Sequence, residues 1–402
     1  MDTLTPTSTS ENAVSTFIAA SKNGDINIVQ ACIDSGIDIN AKSENGTTAL
    51  IEACDNNHHD IVKLLIANNA DIHYRDENGI NALMTASLRG YHDIVTTLIG
   101  NKADIHAEDT SGMTALLWAA RLGHSRTIQI LLDNRADILA CDHDGRTALM
   151  AAAQGGYEET IRTLVSRGAN IQAKDRQGAT ALIYAAQEEQ CGTMQTLLDL
   201  GADIHEQDHD GMSALAWAVL LEKSRAVQML MDHGADLSQQ DNTGKTALMT
   251  ASRTGNCEII RTLIDRGANI HAKDHAGGTA LMHAASEGQC EAIKILMAHG
   301  ADIHQQDAKG RAALMFATLG GHAKAMQTLL DLGADIHTRD HNGWTSLLMA
   351  AFLQPADIVD ILLRAKADPN CRTSDNRSAL WYAHHNSHHG VEELLRIYGA
   401  RE

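Results

Sequence analysis

Residues 142–174 read DHDGRTALMAAAQGGYEETIRTLVSRGANIQAK, and Asp175 opens the same pattern again. Asp142 and Gly145 have the spacing of a tight turn in which the carboxylate accepts local backbone N–H groups. Thr147, two residues past the glycine, is a natural helix N-cap. Ala148-Leu149 and the pair Ala152-Ala153 give a first helix whose small residues let a neighbouring helix approach closely. Gly156 ends that helix. Apolar residues at helical spacing then form a second helix, closed by Gly168 in the manner of a left-handed C-cap. The stretch therefore reads as helix, short turn, helix, and an extended turn leading onward.

The pattern propagates in both directions. Its turn glycine recurs at Gly46, Gly79, Gly112, Gly145, Gly178, Gly211, Gly244, Gly277, Gly310 and Gly343, each 33 residues from the last. The next step lands on Asn376, a residue that tolerates the backbone conformation glycine favours. Asp precedes the glycine by three residues at Asp76, Asp109, Asp142, Asp175, Asp208, Asp241, Asp274, Asp307 and Asp340. Second helices close on Gly-Ala-Asp-Ile strings such as 201–204, 300–303 and 333–336. The expected fold class is all-α, a solenoid of about twelve helix-turn-helix units with short extended turns.

The period and the string Asp-x-x-Gly-x-Thr-x-Leu…Gly-Ala-Asp-Ile resemble the ankyrin repeat. The expected boundaries are a disordered tail over 1–12 and one repeat domain over 13–402. Within that domain, 13–42 is a partial amino-terminal cap, 43–372 holds internal repeats and 373–402 is a carboxyl cap. The chain departs from the family pattern in three ways. Ala stands where the family has a helix-starting Pro, and Met84, Leu117, Met150, Ile183, Met249, Met282 and Met315 stand where it has His. Lys102, Arg135 and Lys366 replace the helix-closing glycine, at about 1 kcal/mol each if the backbone stays left-handed. Pro369 and Asn376 make the last repeat a candidate for a looser turn. The alanine style is similar to arrays of bacteria and their viruses.

Composition narrows the function. The formal net charge is -19, which opposes nonspecific nucleic-acid binding. The seven cysteines (Cys32, Cys54, Cys141, Cys191, Cys257, Cys290, Cys371) form no CxxC pair, which points to a reducing, cytoplasmic setting. The first twelve residues lack the apolar core of a signal peptide, and no apolar run is long enough for a membrane span. No phosphate-binding loop, dinucleotide fingerprint, nucleophile elbow or kinase signature appears. Neither catalysis nor a cofactor is expected.

Histidine is abundant, but His73, His106, His205, His271, His304 and His337 share one repeat position. Units stacked roughly 10 Å apart hold such residues too far from each other to share a metal. Their rings are expected to bond the turn backbone of a neighbouring unit. His384, His385, His388 and His389 form i,i+4 pairs, the one local arrangement with zinc-like spacing.

What remains is binding. The resemblance implies a concave face of turn tips and first helices that takes a protein partner, with the chain monomeric when alone. Apolar residues at outward positions of that face are the candidate contacts: Ile80, Met113, Met212 and Trp344 at tips, and Leu220, Leu221, Leu319, Phe352 and Leu353 on helices. Arg89 and Arg121 are the cationic candidates. Trp344 is the leading anchor, because exposed aromatics among apolar neighbours concentrate binding energy. A second aromatic series, Trp118, Tyr184, Trp217, Phe316 and Tyr382 with His283 in the same slot, is expected to pack between helices. The expected function is a non-enzymatic protein–protein interaction scaffold that binds a partner protein through its concave face, with inhibition or neutralisation of that partner as an extension of binding. Alternatives are an effector delivered to a host cell and a metal- or ligand-responsive module.

Overall fold

The computed structural model describes residues 6–353 and 356–401. Among them are 24 α-helices and isolated two-residue bridges flanking turns, such as Cys141 with Thr147 and Arg372 with Ser378. No helix among the described residues is long and apolar enough to cross a membrane. The chain divides into two compact units, 1–203 and 204–402.

In the amino-terminal unit the helices Ala148–Gly155 and Glu158–Ser166 show how one repeat is made. Asp142 Oδ1 accepts the N–H groups of Asp144 at 2.9 Å and Arg146 at 2.8 Å, which shapes the turn. Thr147 Oγ1 caps the first helix through Met150 N–H at 3.4 Å. The Met150 sulphur in turn accepts the Thr147 N–H at 3.4 Å, and Met249 does the same for Thr246 at 3.5 Å. Methionine thus answers the cap where the family pattern has histidine. Leu149, Ala152, Ile161 and Leu164 are buried. Truncating such a leucine to alanine costs about 2–5 kcal/mol.

Successive turns are joined by backbone bonds. His143 N–H reaches Ser111 O at 2.9 Å, and Arg176 N–H reaches Asp144 O at 2.9 Å. In the carboxyl-terminal unit His341 N–H reaches Lys309 O and Ser374 N–H reaches Asn342 O, both at 2.9 Å. This ladder explains the invariant period, since an inserted residue breaks the register. It also explains glycine at the tip. Gly277 has φ +79°, and a side chain there would stand 2.6 Å from the Ala308 nitrogen.

Four expectations need correction. The first helix begins at Pro6, inside the stretch 1–12 expected to be disordered; residues 1–5 lie outside the described residues. The last repeat is regular: Asn376 takes φ 63°, and the helices Ala379–His385 and His389–Ile397 follow as elsewhere. The clustered histidines straddle the turn between those two helices, with Ser387 at φ 60°, so His384/His388 and His385/His389 share no helix face. The rings that bond a neighbouring unit also belong to another series. His58 Nε2 meets Lys22 O at 2.8 Å, His124 Nε2 meets Leu88 O at 2.9 Å, and His322 Nε2 meets Ser286 O at 2.9 Å. At His73, His106, His271, His304 and His337 it is the backbone that bonds, as His73 N–H does to Asp71 Oδ1 at 2.9 Å, and the side chains are exposed. Lys102, Arg135 and Lys366 do stay left-handed, with φ between 68° and 70°.

Candidate functional site

The repeat aspartate has two oxygens, and the second decides the character of each tip. Oδ1 shapes the turn. At Asp109, Asp175, Asp208 and Asp274, Oδ2 points to the residue nine positions later, on the first helix. Trp118 donates its indole N–H to Asp109 Oδ2 at 3.0 Å, and Trp217 does so to Asp208 Oδ2 at 2.6 Å. The Tyr184 hydroxyl donates to Asp175 Oδ2 at 2.6 Å, and His283 Nε2 meets Asp274 Oδ2 at 2.8 Å. The aromatic series is therefore neither plain core nor free groove surface. The polar ends of Trp118, Tyr184, Trp217 and His283 latch turn to helix while the ring bodies are buried or half-buried. The signal was the recurrent nine-residue spacing of Asp to an aromatic or His, but spacing alone does not say which way the second oxygen faces.

These latches set local electrostatics. Burial, joined by the bond to Asp175, pushes the Tyr184 hydroxyl up to about 12. Burial also lowers the His283 imidazole below its usual value, against the opposing pull of Asp274. Where the slot holds Phe316, which cannot donate, Arg311 takes over and binds Asp307 Oδ2 at 2.7 Å. Burial alone would raise the Asp307 carboxyl, but the bonds from Arg311 outweigh it and hold the group below its ordinary value.

The candidate contact residues fall into distinct settings. In the amino-terminal unit Ile80 is half-buried, and Met113 is buried at 7% exposure, so Met113 does not point outward as expected. Its tip folds inward because the next turn is stitched across it. Arg89 is engaged by Asp55 of the preceding repeat, Nε to Oδ1 at 2.7 Å. Arg121 lies 5.4 Å from the Trp118 ring. Met113 and Arg121 line a pocket of about 190 Å³ beside Asp142, with Arg146 and Tyr184.

In the carboxyl-terminal unit Met212 and Leu220 are half-buried, whereas Leu221 is exposed. Four candidates there converge. Leu319, Trp344, Phe352 and Leu353 wall one open pocket of about 270 Å³. Met349 completes the apolar walls, and Lys309, Arg311, Asp340 and Asn342 form the polar edge. Leu319, Phe352 and Leu353 are 43–47% exposed. Trp344 is half-buried, because one face lies on Tyr382 of the next repeat with ring centroids 4.7 Å apart. Phe352 stands edge-on to Trp344 at 5.7 Å. Trp344 is thus a fixed wall, and Phe352 and Leu353 offer more free surface. Among the described residues no group of three or more His, Cys, Asp or Glu is arranged to hold a metal ion. His384 meets Glu392 at 3.4 Å, and His388 Nδ1 meets Ala351 O at 3.0 Å.

Comparison with known families agrees with this geometry. A family profile described as "Ankyrin repeats (3 copies)" matches residues 16–109, 68–142, 92–175, 116–208, 182–274 and 270–340. A single "Ankyrin repeat" profile matches 342–374. Among curated proteins none matches the chain. Those profile matches cover most of the sequence, and on them, together with the turn-and-helix-pair geometry above, the chain belongs to the ankyrin-repeat family.

Proposed function

We propose that this chain is a non-catalytic scaffold that binds, and by binding neutralises, a partner protein through the surface centred on Leu319, Trp344, Phe352 and Leu353. Ankyrin repeats are protein-interaction modules, and the matched profiles place the chain among them. The observation that carries this assignment is the convergence of these four side chains on one open pocket, three of them more than two-fifths exposed. Apolar surface gathered this way marks interaction sites, because scattered exposure needs no explanation but contiguous exposure does. Aromatic walls held by Tyr382 add the rigidity on which binding energy concentrates.

The pocket is small, below the usual range of small-molecule sites, and suits a protruding side chain rather than a cofactor. The test is affinity capture from the native lysate with the intact chain and with the double variant Phe352→Ser, Leu353→Ser. Both side chains are exposed, so the variant should keep its helical circular dichroism while losing the stoichiometric partner. A folded variant that retains every captured protein would sink the assignment.

A further inference from the structure

We propose that the pocket beside Asp340 receives a tryptophan side chain from the partner protein, whose indole N–H donates to Asp340 Oδ2. The inference rests on the docking surface proposed above and names the chemistry it recognises.

Asp340 Oδ1 is occupied by its own turn, accepting Asn342 N–H at 2.9 Å and Trp344 N–H at 2.8 Å. Oδ2 has no hydrogen-bond partner among the described residues. The slot nine residues later holds Met349, whose thioether cannot donate. Both Asp340 and Met349 line the pocket. At Asp109, Asp175, Asp208, Asp274 and Asp307 the same oxygen is bonded within the chain, twice by an indole N–H, from Trp118 and Trp217. The fold therefore already shows that the oxygen is reachable by tryptophan from the first-helix side. A donor missing in cis is supplied in trans.

Two described pockets lie beside a repeat aspartate whose slot residue cannot donate. The other repeat aspartate beside a described pocket is Asp142, whose slot residue is Ala151. There Arg121 and Arg146 crowd the edge, and Arg146 Nε donates to the Tyr184 hydroxyl at 2.8 Å. That site is charged. Beside Asp340 the walls are apolar and aromatic, which suits an indole body as well as its N–H.

A neutral donor is favoured over a guanidinium or ammonium. Lys309 is exposed at the edge, and Arg311, although bound to Asp307, lies there too. An incoming cation would meet both at short range. Tryptophan brings the donor without the charge.

The experiment pans a random peptide library against the immobilised full chain, with Met349→Trp as the counter-target. That variant places an indole in the slot from within, as Trp118 and Trp217 do, and circular dichroism checks that it folds. Expected are peptides that bind the native chain, lose binding to Met349→Trp, and share one tryptophan. Methylating that tryptophan at N1 should weaken binding about tenfold, the loss of one hydrogen bond to a carboxylate. Asp340→Asn, which keeps the turn-forming Oδ1, should weaken it similarly, and it serves alone if Met349→Trp does not fold. Peptides that need the pocket but anchor through an aliphatic or acidic residue, or tolerate N1-methylation, would overturn the tryptophan assignment and leave the docking surface standing. Peptides indifferent to Met349→Trp and to Phe352→Ser alike would overturn both.

Discussion

Asp175 and Asp340 occupy the same place in their repeats and use it in opposite ways. Asp175 is 5% exposed, and its second oxygen is bound by Tyr184, whose hydroxyl is also held by Arg146. The polar groups of that tip satisfy one another. Around Asp340 the slot holds Met349, the tip holds Trp344, and the helix ends in Phe352 and Leu353. The backbone turn is the same in both, down to the two N–H groups on Oδ1. Conserved turn geometry thus leaves a few slots free, and the residues in those slots decide whether a repeat is closed on itself or open to a partner.

The largest expected effect comes from opening the closed repeat. Tyr184→Phe keeps the ring but leaves the buried Asp175 Oδ2 and the Arg146 Nε without their shared hydroxyl. The expected loss is about 1–3 kcal/mol, the penalty of a buried acceptor left unpaired. Hydrogen exchange of the amides in Ala181–Gln187 should report it, because repeat arrays open locally. Unchanged protection would mean that the latch is ornamental and the comparison empty.

Closing the open repeat should work in reverse. Met349→Tyr offers a hydroxyl to Asp340 Oδ2 in the arrangement of Tyr184. A gain of about 1 kcal/mol is expected from the added bond, read as slower exchange in the helix Ser346–Leu353. A loss instead would show that the slot beside Asp340 is not equivalent to its siblings.

The smallest effect is the pH dependence of the His283 latch. Asp274, Lys245 and Arg253 face the ring, and burial, the dominant influence, lowers its proton affinity below the unfolded value of 6.5. As the pH falls through that value the unfolded chain takes up a proton that folded His283 resists. Stability is therefore fully present above it and declines below. Protection factors in Ala280–Ser286, which allow for the slower intrinsic exchange at lower pH, should fall as the pH drops through 6.5, and His283→Tyr should remove most of that change. Equal pH sensitivity in the variant would place the titration elsewhere.

Much of this was legible before any coordinates. The 33-residue period, Asp-x-x-Gly turns and Thr caps each answer a local backbone need, so they declare themselves in one dimension. Leu319, Trp344, Phe352 and Leu353 stood out because they are apolar where the repeat pattern runs outward. Other readings failed for one shared reason. Burial of Met113, the break between His385 and His389, and the choice of His58, His124 and His322 as bridging rings depend on how one unit sits against the next.

The sequence by itself determined the repeat, its all-helical class and the positions free to vary, because those follow from hydrogen bonds within a few residues. Only the tertiary structure decided which free positions meet. The bond from residue nine to Asp Oδ2, and the gathering of four apolar side chains from successive repeats into one pocket, arise from the seating of helices on turns. That seating is a property of packing in three dimensions, and the spacing of letters along the chain does not carry it.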